Sequence, residues 1–284
     1  MTNSIKTFIL MLAMSLLLMF VGNVVGGRGG MFIALLISFV MNFVSYWFSD
    51  KLVLARYHAQ PIPESNKYYQ LVARLAEQAE LPMPKVYMIP ERQPNAFATG
   101  RNPSHAAVVL TQGITELMND QELAGVIGHE LGHVKHRDIL LQSVAATFAS
   151  AITFLSRMAP YGAMMGSDRR RRNNGIAMLL VMILAPIGAL LVQMAISRSR
   201  EYKADEFGAK VSGDPDYLAN ALEQLDRGIR QIPMQNVNPA TENMFIMNPL
   251  SGGGIAGLFS THPPLAERVR RLRAMPGGGD NRIY

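Results

Sequence analysis

His129-Glu130-Leu131-Gly132-His133 is the H-E-x-x-H pattern, and helical geometry gives it a chemistry. Residues at i and i+4 lie one turn apart on one face, so two imidazoles converge on a single ion. Glu130 follows the first of them, where its carboxylate reaches a water on that ion and takes its proton. Zinc suits such a site, because it accepts imidazole and carboxylate and lowers the pKa of a bound water to about 7. Three fixed letters also arise by coincidence in ordinary helices, so the surroundings matter. Asn119 or Asp120 starts the helix, Glu122 completes a cap, and the helix is expected to run through His136. Gly125, Gly128 and Gly132 fall on or near the face of His129. Each interior Gly costs roughly 1 kcal/mol relative to Ala, so the three predict close backbone packing against a neighbouring element.

Two histidines leave a catalytic zinc one protein ligand short. His136 lies about 10 Å along the axis from His129 and cannot share an ion with both others on a straight helix. A metzincin extension would need Gly and His where His136 and Ile139 stand. A carboxylate from a second helix is the better choice, and Arg198-Ser199-Arg200-Glu201-Tyr202-Lys203-Ala204-Asp205 offers two. Glu201 and Asp205 are four apart and share a face, so one can bind metal while the other accepts a hydrogen bond from a ligand histidine. The charge pattern alone favours a surface helix with balanced Glu, Asp, Arg and Lys.

Around these motifs the chain alternates between apolar and polar character. Of its 284 residues 49% are hydrophobic and 19 are Met, and the apolar residues gather in long runs, which points to a bilayer. Residues 1–57 read as a transmembrane hairpin, with Thr7 to Val25 and Met31 to Phe48 as its arms and Tyr46 and Trp47 in the interfacial belt. The length of the first run and the prompt arrival of the second argue against a cleaved signal peptide. Residues 58–138 read as the first half of a water-exposed domain. A helix through Leu71 to Ala79 stops before Pro82, short strands follow at Lys85 to Ile89 and Ala106 to Leu110, and Asn95 to Thr99 is a third strand candidate. Residues 139–197 hold a second apolar pair, 139–165 and 176–196. Its first run carries Arg157, Pro160 and a stripe of Ser143, Thr147, Ser150 and Thr153, so it spans, or else faces protein. Residues 198–275 complete the polar domain with helices at Arg198 to Val211, Tyr217 to Ile229 and Leu265 to Met275, and 276–284 read as a flexible tail.

The absence of Cys excludes thiolate metal sites and disulfides, so a metal here is held by His and carboxylates. The net charge of +6 gathers beside the apolar runs, where it serves topology and headgroup contact and not nucleic-acid binding. Lys6, Lys51 and Arg56 flank the first hairpin against a lone Arg28 inside it, which predicts a catalytic domain in the cytoplasm.

Taken together, the amino-terminal hairpin, Asn95-Ala96-Phe97-Ala98-Thr99-Gly100, the His129 to His133 motif, the second apolar pair, Arg198 to Asp205 and Thr261-His262-Pro263-Pro264 resemble the bacterial HtpX-like membrane metalloproteases, relatives of the CAAX prenyl endopeptidases. The resemblance implies an α-rich α+β fold: a gluzincin-type zinc peptidase domain with a small sheet, plus transmembrane helices in two hairpins. It implies one zinc ion on His129, His133 and Glu201, Glu130 as the catalytic base, and Asp205 orienting the site. It also implies ATP-independent, and hence nucleotide-free, cleavage of misfolded or damaged membrane proteins at the bacterial inner membrane. His262 reads either as a residue preceding a helix or as a donor to the tetrahedral oxyanion, and the resemblance favours the donor. Asn95, Ala96 and Phe97 are expected on an edge strand that pairs with extended substrate; the same residues also fit a strand without a partner. Two other functions fit the residues: a protease of narrow specificity for lipidated or signal-like peptides, or a membrane scaffold or transporter component. The lack of other intramembrane acids counts against transport.

Overall fold

In the computed structural model, which describes residues 3–148, 198–231, 246 and 263–277, the first two apolar runs form a helical hairpin. Helix α1 (Asn3–Trp47) breaks at Gly26 and at Gly27, whose φ is 59°. The resulting arms, Asn3–Asn23 and Gly26–Trp47, are each long and apolar enough to cross a membrane. The expected five-residue connection shrinks to a two-residue break, because Gly27 takes a positive φ without strain and the helix resumes through Arg28 to Gly30. The arms touch at Gly22, where an added Cβ would lie 2.4 Å from the Gly30 carbonyl oxygen. Asn42 Nδ2 donates to Ser15 Oγ across them at 2.8 Å. Phe8, Leu16, Phe20, Phe32, Leu36 and Phe39 point outward, an apolar surface that a bilayer would cover.

After α2 (Ser49–Arg56) the chain enters a four-stranded sheet. Its strands are β1 (Gln60–Pro61), β2 (Lys85–Ile89), β3 (Ala96–Gly100) and β4 (Ala106–Thr111), in the order β1-β2-β4-β3. β2 and β4 run parallel and the other two pairs antiparallel, so β3 is an edge strand. Helix α3 (Lys67–Gln78) begins where Asn66 accepts a hydrogen bond from the Tyr68 amide, and it buries Leu71, Val72, Leu75 and Ala76. The short α4 (Gln112–Leu117) leads to α5 (Asp120–Lys135), which is buried from Glu122 to Val134. Helices α7 (Arg198–Ser212), α8 (Pro215–Gln231) and α9 (Leu265–Arg273) complete the domain. One apolar core joins Val72, Val108, Ile127, Leu131, Leu222 and Leu272, so residues on both sides of the second apolar pair build a single interior.

Helix α5 ends one residue before His136 and does not run into the third apolar run. Arg137 takes a φ of 56°, and a new helix, α6 (Asp138–Phe148), starts in another direction. α6 is enclosed by protein: Leu140, Leu141, Val144 and Phe148 pack on Leu10 and Met14 of the first membrane arm, and Ile139 on Ala98 and Ala106. Ser143 exchanges a hydrogen bond with Thr99 at 2.9 Å, so this first residue of the polar stripe meets the sheet. Residues 149–165, the run 176–196, His262 and most of the tail lie outside the described residues.

Candidate metal centre

The site begins with the cap of α5. Asn119 Oδ1 accepts from the amides of Gln121 and Glu122, and the Glu122 carboxylate in turn accepts from the Asn119 amide, which fixes the first turn. Small residues then let α7 approach. An added Cβ on Gly208 would lie 2.6 Å from the His129 nitrogen, and one on Gly132 would lie 3.0 Å from Ala204 Cα. Gly125 meets the backbone of Leu218 on α8 in the same way. The predicted close packing is thus present, and α7 presents Glu201, Ala204, Asp205 and Gly208 to α5 at helical spacing.

That contact places the Glu201 carboxylate between the two imidazoles. Its Oε2 lies 3.8 Å from His129 Nε2 and its Oε1 3.6 Å from His133 Nε2. One ligand atom from each of His129, His133 and Glu201 falls within 4.8 Å of the others, and all three side chains are buried. Zinc–ligand bonds of about 2.0–2.1 Å in a tetrahedron separate ligand atoms by roughly 3.3 Å, so the three are near ligation spacing. The ring nitrogens facing away from that point are also held. His129 Nδ1 lies 2.9 Å from Asp205 Oδ1 and His133 Nδ1 3.2 Å from Asp138 Oδ2. Donation from each Nδ1–H leaves the Nε2 lone pairs aimed at a shared point, the pattern of zinc-binding histidines.

The surrounding charges are buried and paired. Arg268 of α9, 2% exposed, donates through Nε and NH2 to both Asp205 oxygens at 2.9 and 2.6 Å and through NH1 to the Ile246 carbonyl at 3.0 Å. Burial alone would raise Asp205, but the Arg268 charge and its hydrogen bonds hold the carboxyl down at about 2. Asp138 also accepts from Asn3 Nδ2 at 2.5 Å, and Arg200 Nε lies 3.5 Å from it. The start of the first membrane arm thus reaches the carboxylate behind His133. Burial lowers His129. At His133 burial acts the same way, yet the Asp138 hydrogen bond and the Glu201 and Glu130 charges outweigh it and lift the imidazole to about 9. A metal ion bound there would displace a proton.

Glu130 is buried beside this triad. Its Oε2 accepts from the Ala98 amide at 2.9 Å, and burial pushes its carboxyl up to about 7. A carboxyl poised near neutrality both takes and gives a proton. The bond from Ala98 also fixes how β3 is oriented. Thr111 donates to the Asn95 carbonyl and Phe97 sits opposite Val109, so Asn95, Phe97 and Thr99 turn their backbone groups toward β4. Ala96 and Ala98 therefore point theirs away from β4, to the outer edge of the sheet. The side chains of Asn95 and Phe97 are buried, Asn95 accepting from the Ile246 amide and Phe97 packing on Tyr57.

His129, Glu130, His133, Glu201 and Asp205 are therefore brought together in one buried cluster. His136 is not among them; its ring lies against Phe207. Asp138 and Arg268 were missed. Arg268 lies on the same stripe as the buried Val269 and Leu272, which is the periodic signal that marks it as inward-facing.

The sequence profile of peptidase family M48 matches residues 64–276. A protein from Methylibium petroleiphilum named Protease HtpX homolog is 54% identical over 97% of this chain and 98% of its own length. A protein of the same name from Syntrophotalea carbinolica is 51% identical over 96% of this chain and 99% of its own. Among solved structures, Ste24p of S. mikatae superposes with a TM-score of 0.49 at 19% identity, covering 85% of this chain and 57% of that one.

Proposed function

Since the chain belongs to peptidase family M48 and is a membrane metalloprotease, we propose that His129, His133 and Glu201 hold one zinc ion and that Glu130 is the base and acid of peptide-bond hydrolysis. The observation that carries this reading is the convergence of three buried ligand side chains with a second carboxylate behind each imidazole. Two imidazoles and a carboxylate suit zinc, whereas magnesium and calcium take oxygen ligands. When bound, zinc would supply a water of lowered pKa and polarise the scissile carbonyl.

The chain's own residues do the rest. Glu130 accepts the proton of the attacking water on its carboxylate and delivers it to the leaving amide nitrogen, so the peptide C–N bond breaks as the amine forms. Asp205 and Asp138 keep the imidazoles from rotating, and Arg268 keeps Asp205 ionised. Substrate pairs as an added strand along the outer edge of β3 through the backbone of Ala96 and the Ala98 carbonyl, the Ala98 amide being held by Glu130, while Asn95 and Phe97 anchor that strand from behind. Backbone pairing reads extended chain with little demand on sequence, which supports misfolded or damaged membrane proteins as substrates. His262, on the segment leading to α9, donates to the developing oxyanion.

The peptidase domain is built from two halves, 58–138 and 198–275, around the second apolar pair; the packing of α5 on α7 supports that division. The domain lies on the cytoplasmic side of the inner membrane. Lys6, Lys51 and Arg56 against Arg28 support this side. Asn3 bonds the His136 carbonyl, and α2 follows the other arm into the domain, so both ends of the hairpin lie on one side. The test is the zinc content of the full chain purified in detergent. One zinc per chain is expected, with loss in His129→Ala and in Glu201→Ala; an unchanged content in Glu201→Ala would remove that residue from the ligand set.

A further inference from the structure

The second membrane arm ends at a cavity that peptide hydrolysis does not use. Its volume is about 550 Å³, and Phe43, Trp47, Lys51, Lys85, Arg101 and His105 are among its lining residues. Three elements meet there: the end of α1, the start of α2, and the sheet side formed by the first residue of β2 and the turn between β3 and β4. Its fixed charges are Lys51, Lys85 and Arg101 against one carboxylate, Asp50. Among the described residues none of these three cations has a carboxylate within 4.0 Å, although surface cations elsewhere, such as Lys67 and Lys210, do pair with carboxylates. Two are held over aromatic faces: the Arg101 guanidinium carbon lies 4.4 Å from the Trp47 ring centroid and Lys51 Nζ 5.3 Å from that of Phe48.

Depth in the membrane narrows the ligand. The spanning arm Gly26–Trp47 ends at the cavity mouth, so the cations sit at headgroup level. Leading away from them, Leu36, Phe39, Phe43 and Trp47 repeat at three- and four-residue spacing on one face of the arm, all exposed. A ligand matching both parts carries a phosphate anion at one end and acyl chains at the other.

We propose that this cavity binds one anionic phospholipid, its phosphate between Lys51, Lys85 and Arg101 and its acyl chains along Phe39 and Phe43. The site is separate from the metal centre and does not depend on how that centre is read. Arg101 directly follows Gly100, the last residue of β3, so a bound lipid also anchors the far end of that edge strand to the membrane surface.

The test is native mass spectrometry of the full chain in detergent, titrated with phosphatidylglycerol or phosphatidylcholine. The expected result is one tightly held phosphatidylglycerol, at least tenfold preferred over phosphatidylcholine. Lys51→Ser combined with Arg101→Ser should reduce that preference to near unity, and Lys51→Ser alone, at an exposed position outside the catalytic site, should weaken it several-fold. Arg28→Ser, which removes a cation at the opposite end of the arm, should leave it unchanged. Equal loss in Arg28→Ser would mean diffuse charge and overturn the proposal, as would a preference that survives both cavity substitutions. Glycerol phosphate and inorganic phosphate serve as headgroup probes without chains. Competition by either at the concentration of the lipid would show a free-phosphate site and refute the lipid assignment.

Discussion

Replacing Arg268 with Met removes the cation that holds Asp205 and keeps much of its volume. Arg268 is enclosed, with both Asp205 oxygens and the Ile246 carbonyl as partners. Its loss leaves a carboxylate in the interior without its cation, which costs about 3–5 kcal/mol. A second route gives a similar size. Asp205 is held at about 2 against an ordinary value of 3.8, and a depression of roughly two units corresponds to about 2–3 kcal/mol. The folded pKa is the lower one, so this contribution is complete above pH 4 and is lost as the pH falls toward 2. With total stabilities of about 5–15 kcal/mol, the loss is a large share of the whole. The assay is urea unfolding of the full chain in detergent followed by far-ultraviolet circular dichroism, because the single Trp, Trp47, lies at the end of the membrane arm and does not report on this domain. At a slope of about 2 kcal/mol per molar, the midpoint should fall by roughly 1.5–2.5 M. Adding Asp205→Asn should restore part of it, since the penalty belongs to the unpaired charge. An unchanged midpoint in Arg268→Met, or no recovery in the double variant, would refute the reasoning.

Three further outcomes follow from the same geometry. Gly208→Ala should destabilise the domain by about 1–3 kcal/mol and weaken zinc binding, because its methyl would sit 2.6 Å from the His129 nitrogen; wild-type midpoint and affinity would show that α5 and α7 are not in backbone contact. Asp138→Asn should release zinc to a chelator with an affinity lowered about 10–100-fold, as expected when the partner of a ligand histidine is changed. An unchanged affinity would mean that Asp138 does not orient His133. Because the chain has no Cys, a Cys at Ser65 gives a clean topology report. A membrane-impermeant thiol reagent should leave it unlabelled in intact cells, and labelling would place the catalytic domain outside.

Local periodicity made much of this fold legible. α5 follows from its cap and its small-residue spacing, and β2 and β4 from short β-branched runs between turn residues. The hairpin was readable as two spans, although the turn is tighter than its five residues suggested because Gly26 and Gly27 together supply the reversal. The site was readable only in part. Glu201 and Asp205 carry the right spacing, but charge balance describes a solvated helix equally well. What selects the buried arrangement is the fit of Gly208 and Ala204 against α5, a property of two helices that neither sequence carries alone. Asp138 stands five residues beyond His133, where a continuous helix would carry it away; the positive φ of Arg137 turns it back. Arg268 was hidden among neighbouring arginines, since a helix with Arg268, Arg270, Arg271 and Arg273 reads as surface unless its register is followed. Asn3 reaches Asp138 across 135 positions, a contact that no local pattern announces.

In the proposed mechanism Glu130 moves the proton while other residues hold the metal. Glu130→Gln keeps the shape of the side chain and can still accept the Ala98 hydrogen bond, but it no longer takes a proton at neutral pH. Zinc content and peptide hydrolysis measured on the same purified sample separate the two roles. The expected result is one zinc per chain, as in the wild type, with hydrolysis reduced by about 10²–10⁴-fold, the usual contribution of a general base. Full zinc occupancy with undiminished hydrolysis would contradict it.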